Sequence, residues 1–226
     1  MAEFSNIKGF TFDLDGVITD TAKFHEQAWH DLAMQIGVNW SDELGSQLKG
    51  ISRMDSLNMI LSAGGQQDKY SDDEKQAFTA QKNAHYVELI QGITPDDILP
   101  GMTAFLSEIK SGGYVASIAS ASKNAPKILE KLGITDDFVG IVDPATLSHG
   151  KPDPEIFTKA GNILKLNPSQ IIGLEDASAG VEAIKAAGQT ALGIGLAAKS
   201  ASPQLWVAST AEISLANIAA GMQSNV

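Results

Sequence analysis

Short apolar runs recur along this chain, and five of them are apolar on both alternating faces of an extended strand. They span residues 9–15, 114–120, 138–143, 170–176 and 189–195, and a sixth run at 204–209 is expected to form an edge strand. Because successive side chains of a strand point to opposite faces, such runs belong to a parallel sheet that is covered on both sides. Helical patterns separate the later runs, so the chain predicts an α/β fold with a doubly wound parallel sheet.

The connection between the first and second runs is much longer than the others. Residues 21–91 show helical periodicity and no convincing strand, with apolar residues at helical spacing and glycines where the helical stretches end. Connections between neighbouring strands usually contain only a few residues. We therefore predict a helical cap domain at residues 21–93, inserted into a core that comprises residues 1–20 and 94–226.

Composition removes several classes of function. The 226 residues carry a net charge of −11, which disfavours nucleic-acid partners and binding to an anionic membrane. The chain has no cysteine, which excludes disulfides, thiolate metal sites and cysteine nucleophiles. The first residues lack a signal-peptide pattern and no run is long enough to span a membrane, so we expect a cytoplasmic protein.

Carboxylates follow two of the predicted strands. Asp13 and Asp15 end the first run, and Glu175 and Asp176 end the fourth. Aspartate is also common where a strand turns, but ligands of open α/β sheets bind beyond the carboxyl ends of the strands. Four carboxylates gathered there would repel one another unless a cation lies between them. Oxygen ligands without histidine or cysteine favour Mg²⁺ as that cation.

Four segments of the chain, FDLDGV, SASK, KPDP and GLEDASAG, resemble the four motifs of the haloacid dehalogenase superfamily in order and spacing. The resemblance covers nearly the whole α/β part and implies a Rossmann-like core. It implies that Asp13 attacks phosphorus and becomes an aspartyl-phosphate, which divides one difficult transfer into two easier ones. It also implies that Asp15 is the general acid and base.

The same resemblance implies which residues bind Mg²⁺ and which bind the phosphoryl group. Mg²⁺ is expected to bind Asp13, the main-chain carbonyl of Asp15 and Asp176, with Glu175 nearby. Ser120 and Lys151 are expected to hold the oxygens of the transferring phosphoryl group. These roles suit the residues, because Ser120 precedes a predicted helix and Lys151 supplies a mobile positive charge.

Polar and aromatic residues in the predicted cap indicate what the substrate is. Thr21, His25 and Trp29 recur every four residues along one helix face, which suits a sugar. The alternative is that Trp29 belongs to the core of the cap and His25 to its surface. Lys82 and Asn83 lie on the third predicted cap helix.

A second anion site is also predicted in the cap. Lys49 and Arg53 flank Gly50 just before a helix, so two cations and main-chain N–H groups could bind a phosphate there. The alternative is that these are solvated surface charges. A second phosphate site could hold one phosphate of a sugar bisphosphate while Asp13 reacts with the other phosphate.

Within the superfamily, the cap and core segments of this chain resemble those of mutases that act on a sugar phosphate. That resemblance implies an isomerase that interconverts β-D-glucose 1-phosphate and D-glucose 6-phosphate, with β-glucose 1,6-bisphosphate as primer and intermediate. It implies that Arg53 holds the phosphate that is not transferred and that His25 orients Asp15 when the cap closes. The expected contacts on the core side are Ala121, Ser122, Lys123 and Asn124.

Other functions are also compatible with parts of this sequence. A sugar-phosphate phosphatase of the same superfamily would share the core residues, and the second anion site and His25 separate it from the mutase. A phosphonate hydrolase is disfavoured because it lacks an acid at the position of Asp15, and a binding module would be expected to have lost one of the four acids or Lys151. Because the cap already covers the site, we expect a monomer.

Overall fold

The structure, a computed structural model, describes residues 3–48 and 51–224, so the predicted substrate contacts Lys49 and Gly50 lie outside the described residues. The strands are β1 (Gly9–Phe12), β2 (Val115–Ile118), β3 (Gly140–Ile141), β4 (Ile171–Glu175), β5 (Thr190–Ile194) and β6 (Leu205–Val207). The helices are α1 (Ala22–Gln35), α2 (Asp42–Gln47), α3 (Arg53–Ala63), α4 (Asp72–Leu89), α5 (Met102–Ser111), α6 (Ala125–Leu132), α7 (Glu155–Leu164), α8 (Ser178–Ala186), α9 (Gly195–Lys199) and α10 (Leu215–Ser224).

The six strands found in the described residues form one parallel sheet with the order β3-β2-β1-β4-β5-β6. The chain proceeds outward from β1 to β3 and then crosses to β4, so the order reverses between β1 and β4. Phe12 of β1 lies opposite both Ile118 of β2 and Leu174 of β4. The residues that follow these three strands therefore emerge together, at the reversal point where open α/β sheets bind their ligands.

Helices cover both faces of the sheet, because neighbouring residues of β1 contact different helices. The ring centroid of Phe10 lies 5.4 Å from that of Phe105 on α5. On the opposite face, the hydroxyl of Thr11 donates to the Gln189 side-chain carbonyl at 2.6 Å, and the Gln189 amide donates to the main-chain carbonyl of Phe157 on α7 at 2.8 Å. The predicted doubly wound sheet is confirmed.

The chain divides into two compact units, Met1–Asp20 with Ile93–Val226, and Thr21–Gly92. The second unit contains α1 to α4 and, among its described residues, no strand. Its apolar core consists of Trp29, Leu32, Ala33, Ile36, Val38, Leu44, Leu48, Leu57, Ile60 and Leu61. Helix α4 begins with a capping box, in which Ser71 accepts the N–H of Glu74 and the Glu74 carboxylate accepts the N–H of Ser71.

The third predicted strand and the second helix of the helical unit illustrate where the structure differs from the sequence prediction. The run at 138–143 becomes only the short strand Gly140–Ile141, at one edge of the sheet. Helix α2 was not predicted, because a helix of six residues is too short to show a clear periodicity. The signal that could have revealed it is its N-cap, where the side chain of Ser41 accepts the N–H of Leu44. No helix of the described part of the chain is long and apolar enough to cross a membrane.

Candidate active site

The acids predicted to form the site follow neighbouring strands. Asp13 comes directly after β1 and donates its main-chain N–H to the carbonyl of Leu174 at 3.0 Å. Glu175 is the last residue of β4, and Asp176 follows it. Carboxylate oxygens of Asp13, Glu175 and Asp176 lie within 4.8 Å of one another. Sheet register therefore brings together residues that are far apart in sequence.

Lys151 lies between two of these acids. Its Nζ donates to Asp13 Oδ1 at 2.6 Å and to Glu175 Oε2 at 2.7 Å, and its side chain is 10% exposed. Burial disfavours the charged ammonium, but the two carboxylates outweigh burial and raise the pKa of Lys151 above its usual range. The other oxygen of Glu175 accepts the N–H groups of Asp176 at 3.2 Å and Ala177 at 3.1 Å. Both oxygens of Glu175 are thus used by protein donors, and the residue anchors Lys151.

Two glycines leave room for the acids. Gly16 has a φ of +75°, and a Cβ at this position would overlap the carboxylate of Asp176. A Cβ at Gly180 on α8 would overlap the carboxylate of Glu175. A side chain at either position would therefore displace an acid of the site.

The site contains more negative than positive charge among the residues described above. Desolvation raises the pKa of Asp13 to about 6, although Lys151 opposes the shift. Desolvation, with the nearby charges of Asp13 and Asp176, raises the pKa of Asp15 to about 8. Desolvation and the charge of Asp13 raise the pKa of Asp176 to about 6. A cation bound by these carboxylates would oppose the shifts, and an all-oxygen donor set within 4.8 Å fits Mg²⁺.

The loop after β2 contains the remaining core residues of the prediction. Ser120 is 2% exposed, and its hydroxyl oxygen accepts the N–H of Ser122 at 3.1 Å. The hydroxyl oxygen of Ser122 in turn accepts the N–H of Asn124 at 3.3 Å. Ala121 and Lys123 are exposed in the same loop. This segment precedes α6 and emerges from the sheet beside the chain that follows β1.

Arg53 is the first residue of α3 and contacts Asn83, which the sequence singles out together with Lys82 on the third predicted cap helix. Its Nη2 donates to the side-chain carbonyl of Asn83 on α4 at 2.9 Å. Burial lowers the pKa of Arg53. Asn83 is adjacent to the predicted residue Lys82, but a contact across 30 positions has no signature in the sequence.

His25 and Lys82 form a pair inside the helical unit. Lys82 Nζ lies 2.8 Å from His25 Nδ1. An ammonium can only donate, so Nδ1 accepts and the proton of neutral His25 is on Nε2. Burial, followed by the charges of Lys82 and Arg53, lowers the pKa of His25 to about 3. His25 is therefore neutral, with Nε2–H as its donor.

Aromatic rings surround this pair. The ring of His25 stacks on that of Tyr86, with centroids 3.9 Å apart, and Lys82 Nζ lies 4.7 Å from the ring centroid of Trp29. Trp29 is 4% exposed and belongs to the apolar core of its unit, as the alternative expected, but His25 is partly buried between its partners and is not the surface residue of that alternative. Thr21 precedes α1, and its main-chain carbonyl accepts the N–H of His25 at 3.1 Å.

Comparisons with known proteins agree on one family. A family model of haloacid dehalogenase-like hydrolases matches residues 7–188. The chain is 46% identical over 209 residues to a β-phosphoglucomutase of Bacillus subtilis (strain 168), and the match covers 92% of each. It resembles the crystal structure of β-phosphoglucomutase from Clostridium difficile with a TM-score of 0.91 and 42% identity, over 96% of this chain and 98% of that one. A phosphorylated carbohydrates phosphatase of Thermotoga maritima is 27% identical over 179 residues, 78% of this chain and 80% of that protein.

Proposed function

Because this chain belongs to the haloacid dehalogenase-like hydrolase family, we propose that it interconverts β-D-glucose 1-phosphate and D-glucose 6-phosphate. The observation that carries this assignment is the similarity to two β-phosphoglucomutases, 46% and 42% identical, across at least 92% of each chain. The phosphatase relative is more distant, at 27% identity. The protein is accordingly an isomerase that transfers a phosphoryl group within its substrate.

We assign the nucleophile to Asp13. An oxygen of its carboxylate forms a bond to phosphorus while the bond from phosphorus to the sugar oxygen breaks, which leaves an aspartyl-phosphate. The ion pair with Lys151 at 2.6 Å fixes the orientation of the Asp13 carboxylate and places a positive charge beside the reacting group. Phosphoryl transfer depends mainly on positioning and charge neutralisation, so this arrangement supports the assignment.

We assign proton transfer to Asp15. Its carboxyl group gives a proton to the sugar oxygen that leaves phosphorus. In the return step it accepts the proton of the sugar hydroxyl that attacks the aspartyl-phosphate. Two such transfers through bound β-glucose 1,6-bisphosphate exchange the phosphoryl group between the two ends of the sugar.

Members of this family generally use Mg²⁺. We propose that Asp13, the main-chain carbonyl of Asp15 and Asp176 hold the ion in this chain, with Glu175 reserved for Lys151. When bound, Mg²⁺ supplies positive charge against the oxygens of the phosphoryl group. The hydroxyl of Ser120 and the main-chain groups of its loop supply further hydrogen bonds to those oxygens.

The helical unit is proposed to bind the rest of the substrate. Arg53, with its guanidinium held by Asn83 at 2.9 Å, is assigned to the phosphate that is not transferred. Lys49 and Gly50 remain predicted contacts of the same phosphate, and Ala121, Ser122, Lys123 and Asn124 remain its predicted contacts from the core. His25 has Nε2–H available as a donor to orient Asp15.

A coupled assay tests the proposal. The protein is incubated with Mg²⁺, β-D-glucose 1-phosphate and a trace of β-glucose 1,6-bisphosphate, and glucose 6-phosphate and free phosphate are followed separately. We expect glucose 6-phosphate as the main product. Free phosphate with little glucose 6-phosphate would identify a sugar-phosphate phosphatase instead. Cytoplasmic location and a monomeric state stay predictions from the sequence.

A further inference from the structure

The three residues directly before Lys151 are exposed, although Leu147 ahead of them packs against the apolar core. Ser148, His149 and Gly150, which precede Lys151, are all exposed. Gly150 adds backbone freedom, because a residue without a Cβ has more accessible conformations than any other. Yet Lys151 Nζ is placed at 2.6 Å from Asp13 and 2.7 Å from Glu175. The packing of Leu147 does not extend to these exposed residues, so polar contacts have to hold the segment between Leu147 and Lys151.

We propose that Glu155, the first residue of α7, is a positioning residue that holds this loop and thereby places Lys151. Its Oε2 accepts the main-chain N–H of Ser148 at 2.7 Å and of His149 at 3.0 Å. One carboxylate oxygen thus binds two successive amides of the segment just before Lys151. The inference rests on the proposed role of Lys151 in phosphoryl transfer.

A lysine one turn further along α7 extends the attachment. Lys159 Nζ pairs with Glu155 Oε1 at 2.7 Å and donates to the main-chain carbonyl of Thr146 at 2.6 Å. Hydrogen bonds from Lys159, His149 and Ser148 lower the pKa of Glu155 to about 2, so its carboxylate is ionised throughout the neutral range. An ionised carboxylate can only accept hydrogen bonds, and in the structure both oxygens of Glu155 are bound by donor groups.

Helix α7 is a firm anchor for these contacts. Ile156, Phe157 and Ala160 are at most 2% exposed and pack into the core of the sheet-containing unit. On the other side of Lys151, the carboxylate of Asp153 accepts the N–H of Glu155 at 2.9 Å. The chain is therefore attached to the start of α7 both before and after Lys151.

The same side chains have a second possible use. Ligand-type atoms of His149, Asp153 and Glu155 lie within 4.8 Å of one another, as a metal site requires. The ammonium of Lys159 already neutralises Glu155 and opposes a further cation there. Attachment of the loop accounts for every contact of Glu155 given above, so we prefer it to a metal site.

Loss of the attachment should affect turnover more than substrate binding. Misplacement of a catalytic group by about 1 Å can cost about 100-fold in rate. For Glu155→Ala we expect kcat to fall about 10- to 100-fold, with a change in KM below about 3-fold. Glu155→Gln keeps an oxygen that can accept the amides of Ser148 and His149, so it should recover most of the lost kcat. Glu130→Ala, an exposed glutamate of α6, is the matched control and should behave as wild type.

Hydrogen exchange gives a readout that does not need turnover. In the wild-type protein the amides of Ser148 and His149 should be protected although the residues are exposed, and Glu155→Ala should remove that protection while thermal unfolding changes little. Unprotected amides in the wild type, or a kcat of Glu155→Ala within 2-fold of an active wild type, would overturn the inference. A wild type that forms no glucose 6-phosphate would instead overturn the proposed function, and the exchange measurement would still decide whether Glu155 holds the loop.

Discussion

Replacing Lys151 with methionine should destabilise the protein in a manner that depends on pH. The substitution keeps the length of the side chain and removes the ammonium between Asp13 and Glu175. All three side chains are largely buried, with exposed fractions of 10% for Lys151, 11% for Asp13 and 2% for Glu175. Breaking a buried ion pair by removing one partner costs about 3–5 kcal/mol, because the remaining charge stays buried without compensation. We expect this loss in the free energy of unfolding at pH 8.

The penalty should shrink as the pH falls. Without Lys151, the folded-state pKa of both acids rises further above the values of the unfolded chain, and that of Asp13 is already about 6. Between those values the folded variant binds more protons than the unfolded chain, so its stability increases as protons are added. Each proton taken up in this way contributes about 1.4 kcal/mol per pH unit. The difference from wild type should therefore be smaller by about 2–3 kcal/mol at pH 6 than at pH 8.

Urea unfolding of both proteins at pH 8, 7 and 6, with a chelator present, measures the difference directly. Lys110→Met is the matched control, because Lys110 is 72% exposed and contacts Asp137 at 3.5 Å. An exposed pair of this kind contributes about 1 kcal/mol or less, without a comparable pH dependence. A Lys151→Met penalty below about 1 kcal/mol at pH 8, or one that is equal at pH 8 and pH 6, would refute the reasoning.

Three further changes follow from the same geometry. Gly180→Ala should lower kcat about 10-fold or more, because its Cβ would overlap the carboxylate of Glu175 that anchors Lys151; steady-state kinetics with unchanged kcat would contradict this. Asn83→Ala should raise the KM for β-D-glucose 1-phosphate about 3- to 10-fold, since Arg53 loses its hydrogen-bond acceptor, and an unchanged KM would argue against that assignment. Burial gives His25 a folded-state pKa of about 3, below its usual value of 6.5, so the unfolded chain binds more protons below pH 6.5 and stability falls as the pH decreases. This residue should cost about 2 kcal/mol at pH 5, and urea unfolding of His25→Asn should lack that slope.

The sheet could be predicted from the sequence because strands that are buried on both faces consist of continuous apolar runs. Apolar runs indicate which residues are buried, and they do not indicate which residues pair with a neighbouring strand. For this reason the third predicted strand, at residues 138–143, was too long. Phe138 and Val142 are at most 9% exposed, yet they lie outside the short strand Gly140–Ile141. Val139 between them is 61% exposed, as an edge position allows. The pattern located the element correctly but could not determine where its pairing ends.

The family resemblance predicted which acids to consider, but not how their oxygens are used. Glu175 was expected near the metal, and the structure engages one of its oxygens with Lys151 and the other with main-chain N–H groups. The pairing of His25 with Lys82 spans 57 positions, and that of Lys151 with Asp13 spans 138. No local pattern records such contacts, because they depend on how elements pack. The hydrogen bonds of Glu155 to the loop before it escaped prediction for the same reason.

The charge distribution explains how a chain with a net charge of −11 can act on an anionic substrate. Long-range attraction cannot favour a phosphate here, so binding has to depend on a few cations at fixed places. In the sheet-containing unit, Lys151 is already paired with Asp13 and Glu175, and the carboxylate of Asp176 lies in the same group of acids. Without a further cation, this unit should repel the phosphoryl group that it is built to transfer. Members of this family generally use Mg²⁺, and a divalent ion held by these carboxylates would reverse that balance, so under the proposed function it would support substrate binding as well as the chemistry.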